Sequence, residues 1–393
     1  MFHSSVTKET DVRVEIAQGF PPALDELAAR LPCGRSFLRA AWYEATAAGD
    51  PLTVLGTRQD GHPIAAIPTA SIGPPLVGAR AVPGSYWPFR SILISADAEE
   101  AELTALLADP SVRRALAPVW RVGPVLRDDG ATRMLKRAAA DAGWTVLVRT
   151  LGQTWQLDLA ALSASGAWPR KSTRRRLANY ERQLGREGAV AFRSITGHNW
   201  DATTLQQLAA IEANSWVGKT TDGGGAKFLT VDRRDLWRRA VRDPLIADAL
   251  SATILSVADE PIAFSFDLRA GPRQYSIASS YDDRFAYARP GKIVTYRQLA
   301  WAAAQGVETV DLGAGDSGYK REMGAEAGSE VVDLLIVRSR SMAQMLSLKW
   351  GGESELARSV FKSSVHARRR RNRIVSQLVA ASAIAGTALA ATE

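Results

Sequence analysis

The sequence predicts an α+β protein built twice over: two related domains, each a mixed sheet with helices, joined by a basic helix. Three observations carry this expectation. The chain has 393 residues, and at about 100–200 residues per domain that is room for two cores. The order strand, two helices, hairpin, strand, helix, strand runs through the first half and again through the second. The hairpins also agree in letters: residues 53–66 read TVLGTRQDGHPIAA and residues 253–264 read TILSVADEPIAF. Each is an apolar strand, an acidic turn and then Pro-Ile-Ala opening the next strand. Proline suits that place because the first residue of a strand needs no ladder N–H.

In the first half, Val12 to Ala17 reads as a strand, and Pro22 to Leu31 and Phe37 to Ala48 as helices. Strands Leu52–Thr57 and Ile64–Ala70 flank the turn signal Asp60-Gly61. A strand follows near Ala79–Val82 or Ser91–Ile94, then a helix from Glu99 to Leu116, a strand Val119–Leu126, a helix Thr132–Ala142 and a strand Val146–Leu157. In the second half, Ala189–Ile195 is a strand and Asp201–Ser215 a helix opened by a favourable N-cap. Asp235–Leu250 holds a further helix, interrupted or capped near Asp243-Pro244. Strands Ala252–Val257, Ile262–Leu268 and Gln274–Ser280 follow. Lys292–Gln305 is a long helix ended by Gly306, with strands at Thr309–Leu312 and Val331–Val337.

Composition narrows the function classes. A hydrophobic fraction of 46% with 23% charged residues excludes long-range disorder. One cysteine, Cys33, excludes a disulfide framework or a thiolate zinc site, and reads as a small buried or half-buried apolar residue. The histidines, His3, His62, His198 and His366, have no HExxH or HxH spacing, so no metal is expected.

The net charge of +8 is clustered, with arginine-rich runs at Arg170–Arg186 and Arg368–Arg373. Such runs either meet a polyanion, whether nucleic acid, anionic membrane or phosphorylated cofactor, or are solvated helix faces. Met1 to Val12 lacks the apolar run of a secretory signal, and the protein reads as cytoplasmic. After Arg373 the chain is uncharged and alanine-rich from Ile374 to Thr392. That tail is too weakly apolar to span a bilayer; it reads as loosely ordered, or as a helix peripheral to an anionic inner membrane.

Two segments carry a family resemblance: IEANSWVGKT (Ile211–Thr220) and YARPGKIVTYRQLAWAAAQGVETVDLGAGDSGYKREMG (Tyr287–Gly324). With the order of elements, they resemble the acetyltransferase-like domain of the GNAT superfamily, in its cellulose-biosynthesis-associated (CelD-like) branch. That branch is similar to the FemAB peptidyltransferases, which carry two GNAT-like domains. The resemblance is firmest over Arg170–Val337 and architectural before that. It implies an N-terminal GNAT-like domain over 1–160, a connecting helix over 161–188, a GNAT-like acyltransferase domain over 189–340 and a tail over 341–393. The implied reaction is acyl or aminoacyl transfer from a thioester or an aminoacyl-tRNA to an amine or a sugar.

In the wider superfamily the cofactor's pyrophosphate sits where a glycine-containing loop enters a helix. Glycine admits close backbone approach, and the helix start favours negative charge. Arg289, Pro290, Gly291 and Lys292 stand at such a junction, so Arg289, Gly291 and Lys292 are the expected acyl-CoA phosphate ligands. The motif departs from the family's at Ala288 and Ile293. The bland alternative is a Pro-Gly turn that merely opens a helix.

The run Asp311 to Lys320 holds the second constellation, with Gly313, Gly315 and Gly318 carrying a loop across the strand's end. An amine must be neutral to attack, so a carboxylate beside it accepts its proton. Asp316 is assigned as that base or as an acceptor anchor, with a turn-capping role as the alternative. Asp311 reads as the turn cap. Tyr319 and Lys320 would stabilise the oxyanion, and Tyr319 or Tyr281 would protonate the leaving group. Of Asp282 and Asp283, which point to opposite strand faces, one would line the site, and Asp282 is assigned.

The resemblance makes Glu212, Ser215, Trp216 and Lys219 an acceptor-binding edge, with Glu212 and Trp216 assigned; composition alone makes Trp216 a core anchor. Asp222 to Gly225 is a lid or a linker. The segment Arg170, Lys171, Arg174, Arg175, Arg176, Arg182, Arg186 is helical by pattern, with Leu177, Tyr180 and Leu184 inward. Its cations would meet tRNA phosphates or the 3′-phosphate of CoA. The expected function is acyl transfer from acyl-CoA or a carrier thioester to an amine or hydroxyl of a sugar, lipid or polysaccharide precursor. The absence of a GxSxG elbow or a Cys–His pair fits direct attack. The alternatives are a tRNA-dependent transferase and a non-catalytic scaffold.

Overall fold

The computed structural model describes residues 12–31, 34–73, 78–84, 90–166, 168–220, 225–315 and 318–350. Cys33, Asp222 to Gly224, Asp316 and the tail after Trp350 lie outside them.

The first half runs β1 (Val12–Gln18), α1 (Ala23–Ala29), α2 (Ala40–Thr46), β2 (Pro51–Arg58), β3 (Pro63–Ile72), β4 (Ala79–Ala81), β5 (Leu93–Ile94), α3 (Glu100–Ala108), α4 (Pro110–Ala115), β6 (Val119–Leu126), α5 (Gly130–Asp141) and β7 (Thr145–Asp158). Helices α6 (Leu159–Ala164) and α7 (Lys171–Leu184) connect it to β8 (Val190–Thr196), α8 (Ala202–Asn214), α9 (Trp216–Thr220), α10 (Val231–Ala240), α11 (Pro244–Ala249), β9 (Leu250–Val257), β10 (Glu260–Ala270) and β11 (Arg273–Tyr281). A 3-10 stretch, Asp283–Ala288, leads into α12 (Pro290–Ala304), β12 (Thr309–Ala314), α13 (Tyr319–Glu322), β13 (Glu326–Val337) and α14 (Arg340–Trp350).

The expected elements form, with one correction. The helix expected over Glu99–Leu116 is two, because Asp109 ends α3 and its carboxylate accepts from Ser111 N and Val112 N to start α4 behind Pro110. Asp243-Pro244 starts α11 the same way, so aspartate before proline acts twice as stop and start. Asp201 caps α8 through Thr204 N at 2.6 Å. Gly306, at φ +78°, turns the chain at the end of α12.

Thirteen strands form one sheet in the order β1-β2-β3-β4-β6-β13-β7-β12-β11-β10-β9-β8, with β5 on β3. From either edge the sequence of pairings is the same: three antiparallel pairs, then a parallel pair, β4 with β6 and β11 with β12. The strand beyond each parallel pair comes from the other half. β13 lies on β6, β7 lies on β12, and the two exchanged strands pair antiparallel at the centre.

The exchange is fixed by a buried ion cluster. Asp333 on β13 is fully buried, and its Oδ2 accepts from Arg121 of β6 at 2.8 Å and from Arg149 of β7. The Arg149 guanidinium lies 4.0 Å from the centroid of the Trp350 ring on α14. The apolar core also joins the halves: Trp42 of α2 meets Trp237 of α10 edge to face at 6.1 Å, within a cluster holding Phe228 and Phe266. Each such side chain contributes on the order of 2–3 kcal/mol by leaving water. Arg39 reaches from the first half to Asp243 at 2.7 Å.

Candidate functional site

The parallel pair β11–β12 is short. Only Arg273↔Thr309, Gln274↔Val310 and Tyr275↔Asp311 are partners. Beyond that rung β11 follows β10 out to Tyr281, while β12 follows β7 and meets Thr154 at Ala314. The strands therefore part at their carboxyl ends, and the sheet opens into a wedge.

The start of α12 stands beside the end of β11. Arg289, at φ 50° and ψ 48°, makes the left-handed step into the helix, and no side chain caps its first turn. Gly291 packs on Tyr281: a Cβ at 291 would lie 3.0 Å from Tyr281 Cδ1. Glycine is thus the residue that lets ring and helix start touch. Lys292 Nζ lies 2.7 Å from Glu322 Oε2 on α13, and Arg176 of α7 and Arg289 also act on that carboxylate. The assigned Arg289, Gly291, Lys292 and Tyr281 are therefore together, and α7, α12 and α13 converge on them.

Asp311 occupies the last rung before the strands part. It is buried, its Oδ1 accepts from Gly313 N at 2.9 Å, and its Oδ2 has no hydrogen-bond partner. The turn-cap reading holds for one oxygen and leaves the other over. Burial pushes its carboxyl up to about 6, against the Gly313 bond and the pull of Arg273 and Lys320.

Lys320 is buried, and its ammonium donates to the carbonyls of Gly313 at 3.0 Å, Ala314 at 3.3 Å and Gly315 at 2.9 Å. It thereby shapes the loop after β12. Tyr319 beside it is exposed, and Asp316 falls outside the described residues.

The expected acceptor edge divides. Glu212 is buried, and its carboxylate accepts from Lys227 N and Phe228 N, each at 2.7 Å. Burial raises its pKa against those two bonds. Asp282, also buried, caps the 3-10 stretch through Arg284 N and pairs with the Arg284 guanidinium at 2.8 Å. Burial works against its charge, but Arg284 outweighs burial and holds the pKa below the ordinary value. Trp216 is half exposed, at 50%, so the core-anchor reading does not hold. It stands next to the mouth, because Ser215 Oγ is 3.0 Å from Ser280 Oγ and Lys219 Nζ is 2.9 Å from Asp283.

A cavity of about 620 Å³ lies between the halves, lined among others by Arg35, Ser95, Asp129, Arg273, Tyr275 and Thr309. Arg273, Tyr275 and Thr309 belong to the rungs that lead to Asp311. Sequence reasoning missed this chamber and Glu322 alike, because both arise from residues far apart in the chain with no local motif. Among the described residues no group of three His, Cys, Asp or Glu could hold a metal, and no helix is long and apolar enough to cross a membrane.

Residues 171–321 match the family model of the acetyltransferase (GNAT) domain. The fold is shared with FemX, at 12% identity and a TM-score of 0.56, over 84% of this chain and 99% of that one. It is also shared with L-PGS from Bacillus licheniformis, at 16% identity and a TM-score of 0.51, over 85% and 97%. The likeness thus spans both halves. No curated protein matches the chain in sequence.

Proposed function

We propose that the chain is an acyltransferase that takes an acyl group from acyl-CoA or a carrier thioester at the wedge between β11 and β12. The acceptor is an amine or hydroxyl of a sugar, lipid or polysaccharide precursor. The observation that carries this reading is the parting of two parallel strands beside an uncapped 15-residue helix whose first turn holds Gly291 and Lys292. The GNAT domain match over the same residues supports it.

In this reading the Gly291 amide at the start of α12, with the side chains of Arg289 and Lys292, holds the donor's phosphates, as an α-helix N-terminus does for anions. The acceptor approaches from the side of Trp216, which stands next to the mouth of the wedge. Its nitrogen or oxygen attacks the thioester carbonyl, its proton passes to a carboxylate, and the C–S bond breaks as the thiolate leaves. Among the described residues Asp311 has the raised pKa and the spare oxygen for the task, and Asp316 is the base expected from the sequence. Tyr281 and Tyr319 are the proton sources for the departing thiolate, and Trp216 offers the acceptor an exposed ring.

Native mass spectrometry with acetyl-CoA and longer acyl-CoAs tests this: a one-to-one adduct at micromolar concentration is expected, and none would defeat it. Aminoacyl-tRNA as donor is the second reading, favoured by the exposed arginines 174, 175, 176 and 182 along α7. Co-purifying RNA, and an activity lost to ribonuclease, would select it.

A further inference from the structure

Glu322 stands where a bound phosphate would have to compete with it. Its carboxylate meets Lys292 Nζ at 2.7 Å and feels Arg289 and Arg176, cations from the start of α12 and from α7. All three cations act on this one carboxylate, and they include two of the three expected phosphate ligands, Arg289 and Lys292. The pair is not locked in: the Glu322 side chain is 64% exposed and that of Lys292 33%. An exposed pair of this kind stabilises by at most about 1 kcal/mol, so a stronger anion can break it.

The geometry points to Glu322 as an intrachain counter-ion that the donor's phosphate group must displace, so that it sets the charge a donor needs in order to bind. This deepens the donor site proposed above and rests on it. A ligand with one carboxylate gains nothing by replacing Glu322, since it exchanges like for like. A diphosphate carries more charge and more acceptor oxygens, so it can meet the cations and the Gly291 amide at the start of α12 together. Glu322 thereby works as a filter against weakly charged ligands, at the cost of some affinity for the right one.

The test is calorimetric titration of inorganic pyrophosphate and of CoA into the full chain, as wild type, Glu322→Gln, Lys292→Gln and the double variant, with thermal unfolding to verify folding. Glu322→Gln is expected to tighten both ligands about two- to fivefold, and the gain is expected to shrink in the Lys292→Gln background, where Arg289 and Arg176 alone face Glu322. Unchanged or weaker binding by folded Glu322→Gln, while wild type binds, overturns the counter-ion and leaves the donor site standing. A gain undiminished without Lys292 also overturns it, since the effect would then be general charge. No binding of either ligand to any of the four proteins at millimolar concentration overturns the donor site and the counter-ion together.

Discussion

The ring of Tyr281 lies against the backbone of Gly291, so close that a single methyl group at 291 would sit 3.0 Å from Tyr281 Cδ1. The end of β11 and the start of α12 are therefore held at one spacing, and the mouth of the wedge takes its shape from it. Gly291→Ala forces the ring outward by a few tenths of an ångström while helping the helix by about 1 kcal/mol. Thermal unfolding should change little, and CoA affinity by calorimetry should fall about tenfold. Unaltered affinity would mean that the contact does not shape the donor site.

Asp333 holds the exchanged strands through Arg121 and Arg149. Asp333→Ala leaves two guanidiniums without their shared acceptor in a largely buried place, which costs about 3–5 kcal/mol. Urea denaturation should record a loss of that size. A loss below about 1 kcal/mol would make the cluster incidental to the exchange.

Lys320 ties together the carbonyls of Gly313, Ala314 and Gly315. Lys320→Met keeps the apolar stem and strands these acceptors, and about 2–4 kcal/mol of stability should go with them. Hydrogen exchange should speed up in the loop after β12. If only turnover fell, with stability and exchange intact, the ammonium would be acting on the substrate instead.

Asp267 is a fully buried carboxylate among Ser265, Gln274 and Ser276. Burial raises its pKa from 3.8 to about 6, against those three hydrogen bonds. Between these two values the folded chain keeps a proton that the unfolded chain has lost. This group's contribution to stability is therefore full below pH 4, falls as the pH rises to 6 and stays low above it, by on the order of 2–3 kcal/mol. Asp267→Asn removes the ionisation. The variant should match wild type at pH 4 and gain on it up to pH 6, as read by denaturation at each pH. A difference independent of pH would contradict the assignment.

Local chemistry explains what the sequence made readable. Capping aspartates, turn glycines and the paired Pro-Ile-Ala hairpins act within a few residues of themselves, so the elements and their repetition could be read from the letters. The exchange of β7 and β13 could not, because it depends on Asp333 finding Arg121 and Arg149 from 212 and 184 positions away. The site divides in the same way. Arg289, Gly291 and Lys292 are neighbours in the chain and could be named from one motif. Glu212 is expected as an acceptor ligand from its motif and Asp282 from its place at the end of a strand, yet their carboxylates go to Lys227 and Phe228 amides and to Arg284. Chain position does not reveal which backbone amide a carboxylate will meet.

The start of α12 as the seat of the donor is tested most directly by hydrogen–deuterium exchange of the full chain with and without acetyl-CoA. Slower exchange at residues 289–293 and 311–315 on adding the ligand is the predicted result. Slower exchange confined to other segments, with 289–293 unaffected at saturating ligand, would contradict it.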